Sequence, residues 1–147
     1  VDVLNRVIEW KPEDLVVNMH ICRGNFRSTW FSSGGYEPVA KTLFGHCRVD
    51  GFFLEYDSDR AGDFTPLRYI KDQKVVLGLI TSKSGDLEDK GEVIARIKEA
   101  SQYVPLEQLC LSPQCGFSST EEGNILTIEA QWDKLKLIDE IVHEVWG

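Results

Sequence analysis

A long apolar run is absent from this chain of 147 residues, and positive charge is scarce. No segment approaches the roughly 20 apolar residues that a membrane-spanning helix needs, so we expect no membrane partner. The chain has 16 Lys and Arg against 24 Asp and Glu, with a formal net charge of −8 at pH 7. Such a surface repels phosphates unless it carries a local basic patch, and the sequence contains none. We therefore expect no nucleic-acid partner.

Cysteine is also sparse, and the residues present do not form the CxxC pairs of zinc fingers and zinc ribbons. They are Cys22, Cys47, Cys110 and Cys115. No secretory signal is recognisable, so we expect reduced thiols in a cytoplasmic protein rather than a disulfide framework. The chain starts at Val1, without an initiator Met, in a helix-like stretch. We therefore expect it to be a fragment of a longer protein.

Four short segments rich in Val, Leu, Ile and Phe have the pattern of buried parallel strands. These segments span residues 15–22, 49–56, 74–81 and 106–113. Each is followed by a loop and then a helix-like stretch, at residues 34–45, 65–72, 87–104 and 129–146. This fourfold alternation predicts one α/β domain over residues 1–147, with a parallel sheet. Either a doubly wound open sheet or part of a (βα)8 barrel would fit the pattern.

Apolar residues recur at helical spacing and predict which face of each helix packs on the sheet. In the first helix they are Tyr36, Val39, Ala40, Leu43 and Phe44. In the third they are Val93, Ile94, Ile97, Ala100 and Val104. In the last they are Leu135, Ile138, Ile141, Val142 and Val145.

Residue types that bind metals stand at the ends of the predicted strands. His20 and Cys22 are two residues apart at the end of the first strand, so their side chains point to the same face. Glu55 lies near the end of the second strand, and Cys115 lies just beyond the fourth. The carboxyl ends of parallel strands share one edge of a sheet, and α/β enzymes keep their active sites there. We therefore expect these four side chains to converge.

Two thiolates, one imidazole and one carboxylate form a ligand set that suits Zn²⁺. The Glu55 carboxylate is the weakest member and could give way to an incoming thiol, whose pKa zinc would lower. The competing interpretation is that each Cys is a small packed hydrophobe and that the Glu is solvated, which is the commoner case for any one of them alone. We assign Cys47 and Cys110 to packing.

Polar residues that follow the strands are candidates for substrate contacts, although each is equally compatible with loop stabilisation. Arg23 and Asn25 follow the first strand and could hold a carboxylate or another anionic group. Asp57 follows the second strand and could pair with nearby basic groups. Thr81 and Ser82 follow the third strand in the stretch TSKSG, which lacks the spacing of a P-loop.

Four stretches together resemble the catalytic barrel of the cobalamin-independent methionine synthase family, and in particular its single-barrel relatives. They are HICRGN, VDGFFLEYDSDRAG, GLITSKSGDLED and LCLSPQCGF. The resemblance extends over nearly the whole chain and implies that His20, Cys22, Glu55 and Cys115 hold zinc. It also implies that homocysteine binds the zinc as a thiolate. A methylated folate such as methyltetrahydrofolate then donates a methyl group to the thiolate, which gives methionine.

The resemblance further implies a (βα)8 barrel, of which this chain corresponds to the last four βα units. Most family contacts to homocysteine and folate lie in the earlier half, so we expect the chain to keep the zinc ligands without much of the substrate pocket. Folate-dependent members carry a His on the third of these strands that is thought to protonate the leaving pterin. Thr81, next to Ser82, takes that place here, and these two are our catalytic candidates. A hydroxyl is a poorer general acid than imidazole, which leaves the methyl donor open.

Two alternatives remain open. The same zinc chemistry could alkylate another small thiol, such as coenzyme M. The second alternative belongs to a different class: a chain without catalytic activity that binds a structural zinc and self-associates through exposed sheet edges. Glu55 weighs against the second alternative, because closed structural zinc sites use Cys and His. We expect the isolated chain to form a dimer or larger species, or to need the missing half-barrel.

Overall fold

A computed structural model describes all 147 residues of the chain. In chain order its helices and strands are α1 (Asp2–Ile8), β1 (Asn18–Ile21), α2 (Glu37–His46), β2 (Gly51–Glu55), β3 (Lys74–Ile80), α3 (Lys90–Ala100), β4 (Leu109–Pro113) and α4 (Ile128–Trp146). The connection from β2 to β3 contains only short 3₁₀ turns, at Asp59–Ala61 and Thr65–Tyr69. The helix-like stretch predicted at residues 65–72 is therefore wrong as a helix, because the segment forms only a 3₁₀ turn.

The four strands form one parallel sheet in the order β1-β2-β3-β4, which confirms the predicted α/β fold class. Strands that follow each other in the chain are also neighbours in the sheet. This is the order of consecutive units of a (βα)8 barrel, whereas the strand order of a doubly wound sheet reverses at a switch point. β1 and β4 each have one edge without a strand partner.

Three strands begin later than the apolar runs predict, β2 by two residues and β1 and β4 by three. β1 starts at Asn18, which pairs with the first residue of β2, Gly51, so the preceding residues 15–17 have no neighbouring strand residue to pair with. Before β4, a 3₁₀ turn at Leu106–Gln108 follows Pro105 and is closed by a 2.9 Å hydrogen bond from the Gln108 N–H to the Pro105 carbonyl. An apolar run in this sequence therefore includes the strand and also the few residues that precede it.

The sheet packs against its helices through one face. On that face Phe52 and Leu54 of β2 are 0% and 1% exposed, and the Phe52 ring meets the Phe44 ring of α2 with centroids 5.1 Å apart. The opposite face carries His20 and Phe53, which pair in register, and Phe53 is 36% exposed. This second face is the one that lines the interior of a closed barrel.

The predicted apolar stripe of α3 is confirmed, since all five of its residues are buried. The stripes of the other two helices are partly wrong. Val39 is 49% exposed, and α4 buries Lys134 and Leu137 in addition to Ile141. Lys134 escapes a pattern based on apolarity because a tertiary ion pair, described below, is what buries it. None of these helices is long and apolar enough to cross a membrane.

Candidate metal centre

The carboxyl edge of the sheet brings His20, Cys22, Glu55 and Cys115 together. One ligand atom of each residue lies within 4.8 Å of those of the other three. The strand register accounts for this arrangement. His20 pairs with Phe53, so the residues two positions further along, Cys22 and Glu55, lie on the same face of the sheet. Cys115 reaches the group from the loop after β4.

The distances among these atoms are close to those of a tetrahedral zinc site. Zinc bonds of about 2.3 Å to sulfur and about 2.0–2.2 Å to nitrogen or oxygen require about 3.8 Å between two sulfurs and about 3.4–3.6 Å between the other pairs. The two sulfurs of Cys22 and Cys115 are 4.0 Å apart, and Cys115 Sγ is 3.8 Å from His20 Nε2. His20 Nε2 is 3.6 Å from Glu55 Oε1. The four side chains therefore fit a zinc ion with only small shifts.

Glu55 is fully buried, although a lone carboxylate is normally solvated. Its backbone N–H donates to the Tyr36 hydroxyl at 2.8 Å, and its carbonyl accepts from Nη1 of Arg23 at 3.0 Å. On the carboxylate, Oε1 accepts one hydrogen bond, whereas Oε2 has no hydrogen-bond partner and lies 3.5 Å from Nη2 of Arg60. A buried charge paired so incompletely fits a site that also holds a cation.

The two thiols of the group differ in acidity. A hydrogen bond with His20 lowers the pKa of Cys115 to about 7, and the same contact raises the pKa of His20. Burial, in contrast, raises the pKa of the Cys22 thiol. Cys115 is therefore the more readily ionised of the two thiols.

Two cationic groups stand beside the candidate ligands. Nη2 of Arg60 lies 3.0 Å from Asp57 Oδ1, so Asp57 does pair with a nearby basic group. Nη1 of Arg60 and Nζ of Lys83 are buried without a hydrogen-bond partner. Burial lowers the pKa of the Lys83 ammonium group. This group also interacts electrostatically with Asp57, Arg60, Glu55 and Cys115. Arg60 and Lys83 thus lie beside the carboxylates of Glu55 and Asp57 and the thiol of Cys115.

Arg23 and Asn25 lie at this edge, but their side chains contact protein groups. The Arg23 guanidinium donates to the Glu55 carbonyl and sits 4.2 Å from the centre of the Tyr36 ring. Nδ2 of Asn25 donates to the Gly116 carbonyl at 2.9 Å and to Ser119 Oγ at 2.8 Å. Asn25 thereby ties the loop after β1 to the loop that carries Cys115. Substrate binding by these two residues, and by Asp57, remains a prediction.

Thr81 and Ser82 also lie at the carboxyl edge, with both hydroxyls engaged. Thr81 Oγ1 donates to Asp57 Oδ2 at 3.0 Å, and Ser82 Oγ donates to Gln114 Oε1 at 2.9 Å. A catalytic role for the two hydroxyls remains a prediction. The Thr81 hydroxyl holds Asp57, which pairs with Arg60. The Ser82 hydroxyl holds Gln114, which donates to Glu55.

Gln114 is the residue that the sequence reasoning missed. It is 2% exposed, and its Nε2 donates to Glu55 Oε1 at 3.0 Å. The only signal in the sequence is its position immediately before Cys115 in the stretch SPQC. An open depression beside this group is lined by His20, Phe53, Pro113 and Cys115, among others.

Comparison with known proteins identifies what the chain is similar to, although no family model matches it. It is 59% identical over 145 residues to the uncharacterized protein YxjG of Bacillus subtilis strain 168, which covers 97% of this chain and 38% of that protein. The crystal structure of a putative vitamin-B12-independent methionine synthase from Listeria monocytogenes superposes with a TM-score of 0.77 and 50% identity. That match covers 99% of this chain and 40% of the Listeria chain.

A second solved structure shares the fold. It is a B12-independent methionine synthase from Shewanella sp. W3-18-1 in complex with selenomethionine, with a TM-score of 0.76 and 23% identity. The match covers 97% of this chain and 42% of that one. The chain thus spans about two fifths of the length of the relatives it matches.

Proposed function

We propose the function of this chain from its resemblance to the cobalamin-independent methionine synthases, which the sequence predicted and the relatives confirm. The chain provides the zinc-binding part of a barrel that transfers a methyl group to the thiol of homocysteine, giving methionine. The observation that carries the proposal is the convergence of His20, Cys22, Glu55 and Cys115 within 4.8 Å. A mixed set of this kind, with a carboxylate among Cys and His, suits a catalytic site better than a closed structural one.

His20, Cys22 and Cys115 are the proposed lasting ligands, and Glu55 is the exchangeable one. Zinc held there would supply Lewis acidity that keeps a substrate thiol ionised, and hence nucleophilic, at neutral pH. The residues of the chain orient that chemistry. Tyr36 and Arg23 hydrogen-bond to the backbone of Glu55 and hold it in place. The Glu55 carboxylate also lies beside Arg60, which would remain its positive partner if the carboxylate left the metal. The depression beside Cys115 gives a thiol access from the barrel side.

The proposed methyl donor is a methylated folate such as methyltetrahydrofolate. Thr81 and Ser82 have their hydroxyl protons engaged with Asp57 and Gln114, so we propose that they act by holding these groups in place. The proposed cellular location is the cytoplasm, where the free thiols of the site stay reduced.

The proposed partner of the chain is the remainder of a barrel or a second copy of itself. The unpaired edges of β1 and β4 support this, because exposed parallel edges present unsatisfied backbone groups. Light scattering on the isolated chain should report a dimer or larger species. A monomer that persists at high protein concentration would rule out self-association.

The decisive experiment measures metal content and the surroundings of the metal. Protein purified without chelators should contain about one zinc per chain, the content expected of one four-ligand site. X-ray absorption at the zinc edge, with and without homocysteine, should show one added sulfur neighbour and one lost oxygen neighbour. Zinc that is present but does not respond to homocysteine, coenzyme M or other thiols would mean that the missing half of the barrel is needed for thiol binding. A chain that binds no zinc would refute the proposed site.

Variants test the ligand set. Cys22→Ser and Cys115→Ser should each lose most of the zinc, because oxygen in place of thiolate weakens binding to this metal. Cys110→Ser is the matched control, since Cys110 lies outside the group of converging ligands and should keep full occupancy. Full zinc occupancy in both ligand variants would refute the assignment.

A further inference from the structure

The orientation of the Gln114 amide is fixed by Ser82. The Ser82 backbone N–H and its hydroxyl both point at Gln114 Oε1, at 3.4 Å and 2.9 Å. A backbone N–H can only donate, so the amide oxygen must face Ser82 and the amide nitrogen must face away from it. That nitrogen is the atom that lies 3.0 Å from Glu55 Oε1. Gln114 therefore presents a fixed donor to the Glu55 carboxylate.

The hydrogen bond crosses a strand, which requires special backbone geometry. Glu55 ends β2 and Gln114 follows β4, and β3 lies between these two strands. The β3 residue opposite Glu55 is Gly78. A Cβ at this position would lie 2.8 Å from the Gln114 Cα and 2.8 Å from the Leu54 carbonyl. The absence of a side chain at Gly78 lets Gln114 reach Glu55 across the sheet.

A shift in strand register completes the approach. The pairing of β3 with β4 slips by one residue between Gly78 and Ile80, and the Gln114 N–H then donates to the Ile80 carbonyl at 2.7 Å. Bulges of this kind re-aim a side chain next to a site. Both ends of Gln114, its backbone and its amide, are thus anchored before it contacts Glu55.

The Glu55 carboxylate depends on this contact. Gln114 gives the only hydrogen bond that the carboxylate receives, and it binds the oxygen that lies nearest to His20. A neutral amide donates a hydrogen bond to a carboxylate oxygen and thereby fixes the direction in which the carboxylate points. A group that supports a metal ligand in this way sets both its direction and its basicity.

We propose that Gln114 is a positioning residue: it orients the Glu55 carboxylate towards the metal, with Ser82 fixing its amide and Gly78 opening its path. The inference rests on the proposed zinc site and assigns that site a supporting residue. Loss of the Gln114 amide should leave Glu55 free to turn towards Arg60, whose Nη2 is already 3.5 Å from its other oxygen.

The test is a double-mutant cycle on zinc affinity, measured by competition with a chromophoric chelator. Gln114→Met keeps the length of the side chain but removes the donor, and it should weaken zinc binding about 10- to 100-fold. In the Glu55→Gln background the same change should have little further effect, because Gln114 acts through Glu55. X-ray absorption should show fewer oxygen neighbours in Gln114→Met, with the sulfur neighbours unchanged.

Gln108→Met is the matched control. Its Nε2 is also a hydrogen-bond donor, but to the backbone carbonyl of Lys71 and not to any of the four ligands, so zinc affinity should not change. The inference would be overturned if Gln114→Met lowered zinc affinity equally in the unmodified chain and in Glu55→Gln, or in neither. Zinc binding by the unmodified chain would still stand. A chain that binds no zinc at all would overturn the proposed function together with this inference.

Discussion

The two acidic residues at opposite ends of β2 show how position in the sheet decides what a carboxylate does. Asp50 lies just before the strand at its amino end, with a side chain 38% exposed. Its Oδ2 accepts a hydrogen bond from the Val17 N–H at 2.7 Å and lies 3.2 Å from Lys11 Nζ. Glu55 lies five residues later at the carboxyl end, fully buried, with one oxygen lacking any hydrogen bond.

The difference separates a structural carboxylate from the one that we propose to be a metal ligand. Asp50 has local partners and access to water, so it clamps the chain before β1 to the start of β2 at little cost. The Glu55 carboxylate is buried and incompletely paired, which lowers the stability of the fold. Proteins retain such a group where it binds a ligand. In α/β barrels the amino edge of the sheet serves stability and the carboxyl edge serves the reaction, and the roles proposed for these two residues agree with that division.

Lys134 is a buried charge near the carboxyl edge that we expect to be purely structural, unlike Glu55. Its Nζ lies 3.0 Å from both oxygens of Glu88, and Glu88 also accepts from the Thr81 N–H at 2.8 Å. Lys134→Met should lower the free energy of unfolding by about 3–5 kcal/mol, because it leaves a poorly solvated carboxylate without its cation. Urea denaturation measures this loss.

A matched control for that prediction is Lys136→Met on the same helix. Lys136 is 73% exposed and pairs with Asp133 at 3.5 Å, so its loss should change stability little. Equal effects of the two substitutions would mean that burial of Lys134 does not matter. Loss of zinc from the folded Lys134→Met protein would mean that its role is not purely structural.

Two isosteric substitutions at the opposite ends of β2, Glu55→Gln and Asp50→Asn, test the roles assigned to the two carboxylates. Glu55→Gln should weaken zinc binding by more than about 100-fold, because even the loss of groups that only support a ligand costs 10- to 100-fold. The metal-free protein should not lose stability, since a buried charge disappears. Asp50→Asn should leave zinc affinity unchanged. Chelator competition and urea denaturation of the metal-free proteins measure both effects, and equal zinc losses would contradict the assignment of roles.

The smallest expected effect is the pH dependence that Asp50 contributes. The hydrogen bond from the Val17 N–H, the largest cause, lowers the pKa of Asp50 from its ordinary value of 3.8. The folded pKa lies below the unfolded one, so the stabilisation is complete above about pH 4 and is lost as pH falls through the folded value. The stability difference between the unmodified chain and Asp50→Asn should therefore shrink below about pH 4. A difference that stays constant down to pH 2 would contradict this origin.

The sequence predicted much of the fold because its elements are defined locally. The apolar runs of the four strands and the helical spacing of Val93, Ile94 and Ile97 are local signals, and the structure has them. The errors fall where tertiary contacts outweigh composition. Residues 15–17 have no neighbouring strand residues to pair with, Val39 lies on the exposed side of α2, and Lys134 is buried by an ion pair.

The candidate site divides in the same way. The residue types and strand positions of His20, Cys22, Glu55 and Cys115 were enough to predict that they share an edge, because parallel strands end together. Gln114 could not be predicted. Its contact with Glu55 depends on a register shift beside Gly78 and crosses a strand, and nothing in the neighbouring sequence encodes which side chains meet across it.

The amino-acid sequence alone was enough to predict the fold class, the resemblance to a methionine synthase barrel and the four residues that could bind a metal. It could do so because strand periodicity and strand ends are properties of short segments. Three further properties are visible only in the tertiary structure: Glu55 is buried, Arg23 donates to its backbone carbonyl, and Gln114 donates to its carboxylate. Burial and hydrogen-bond partners arise when distant segments pack, and no segment carries that information alone.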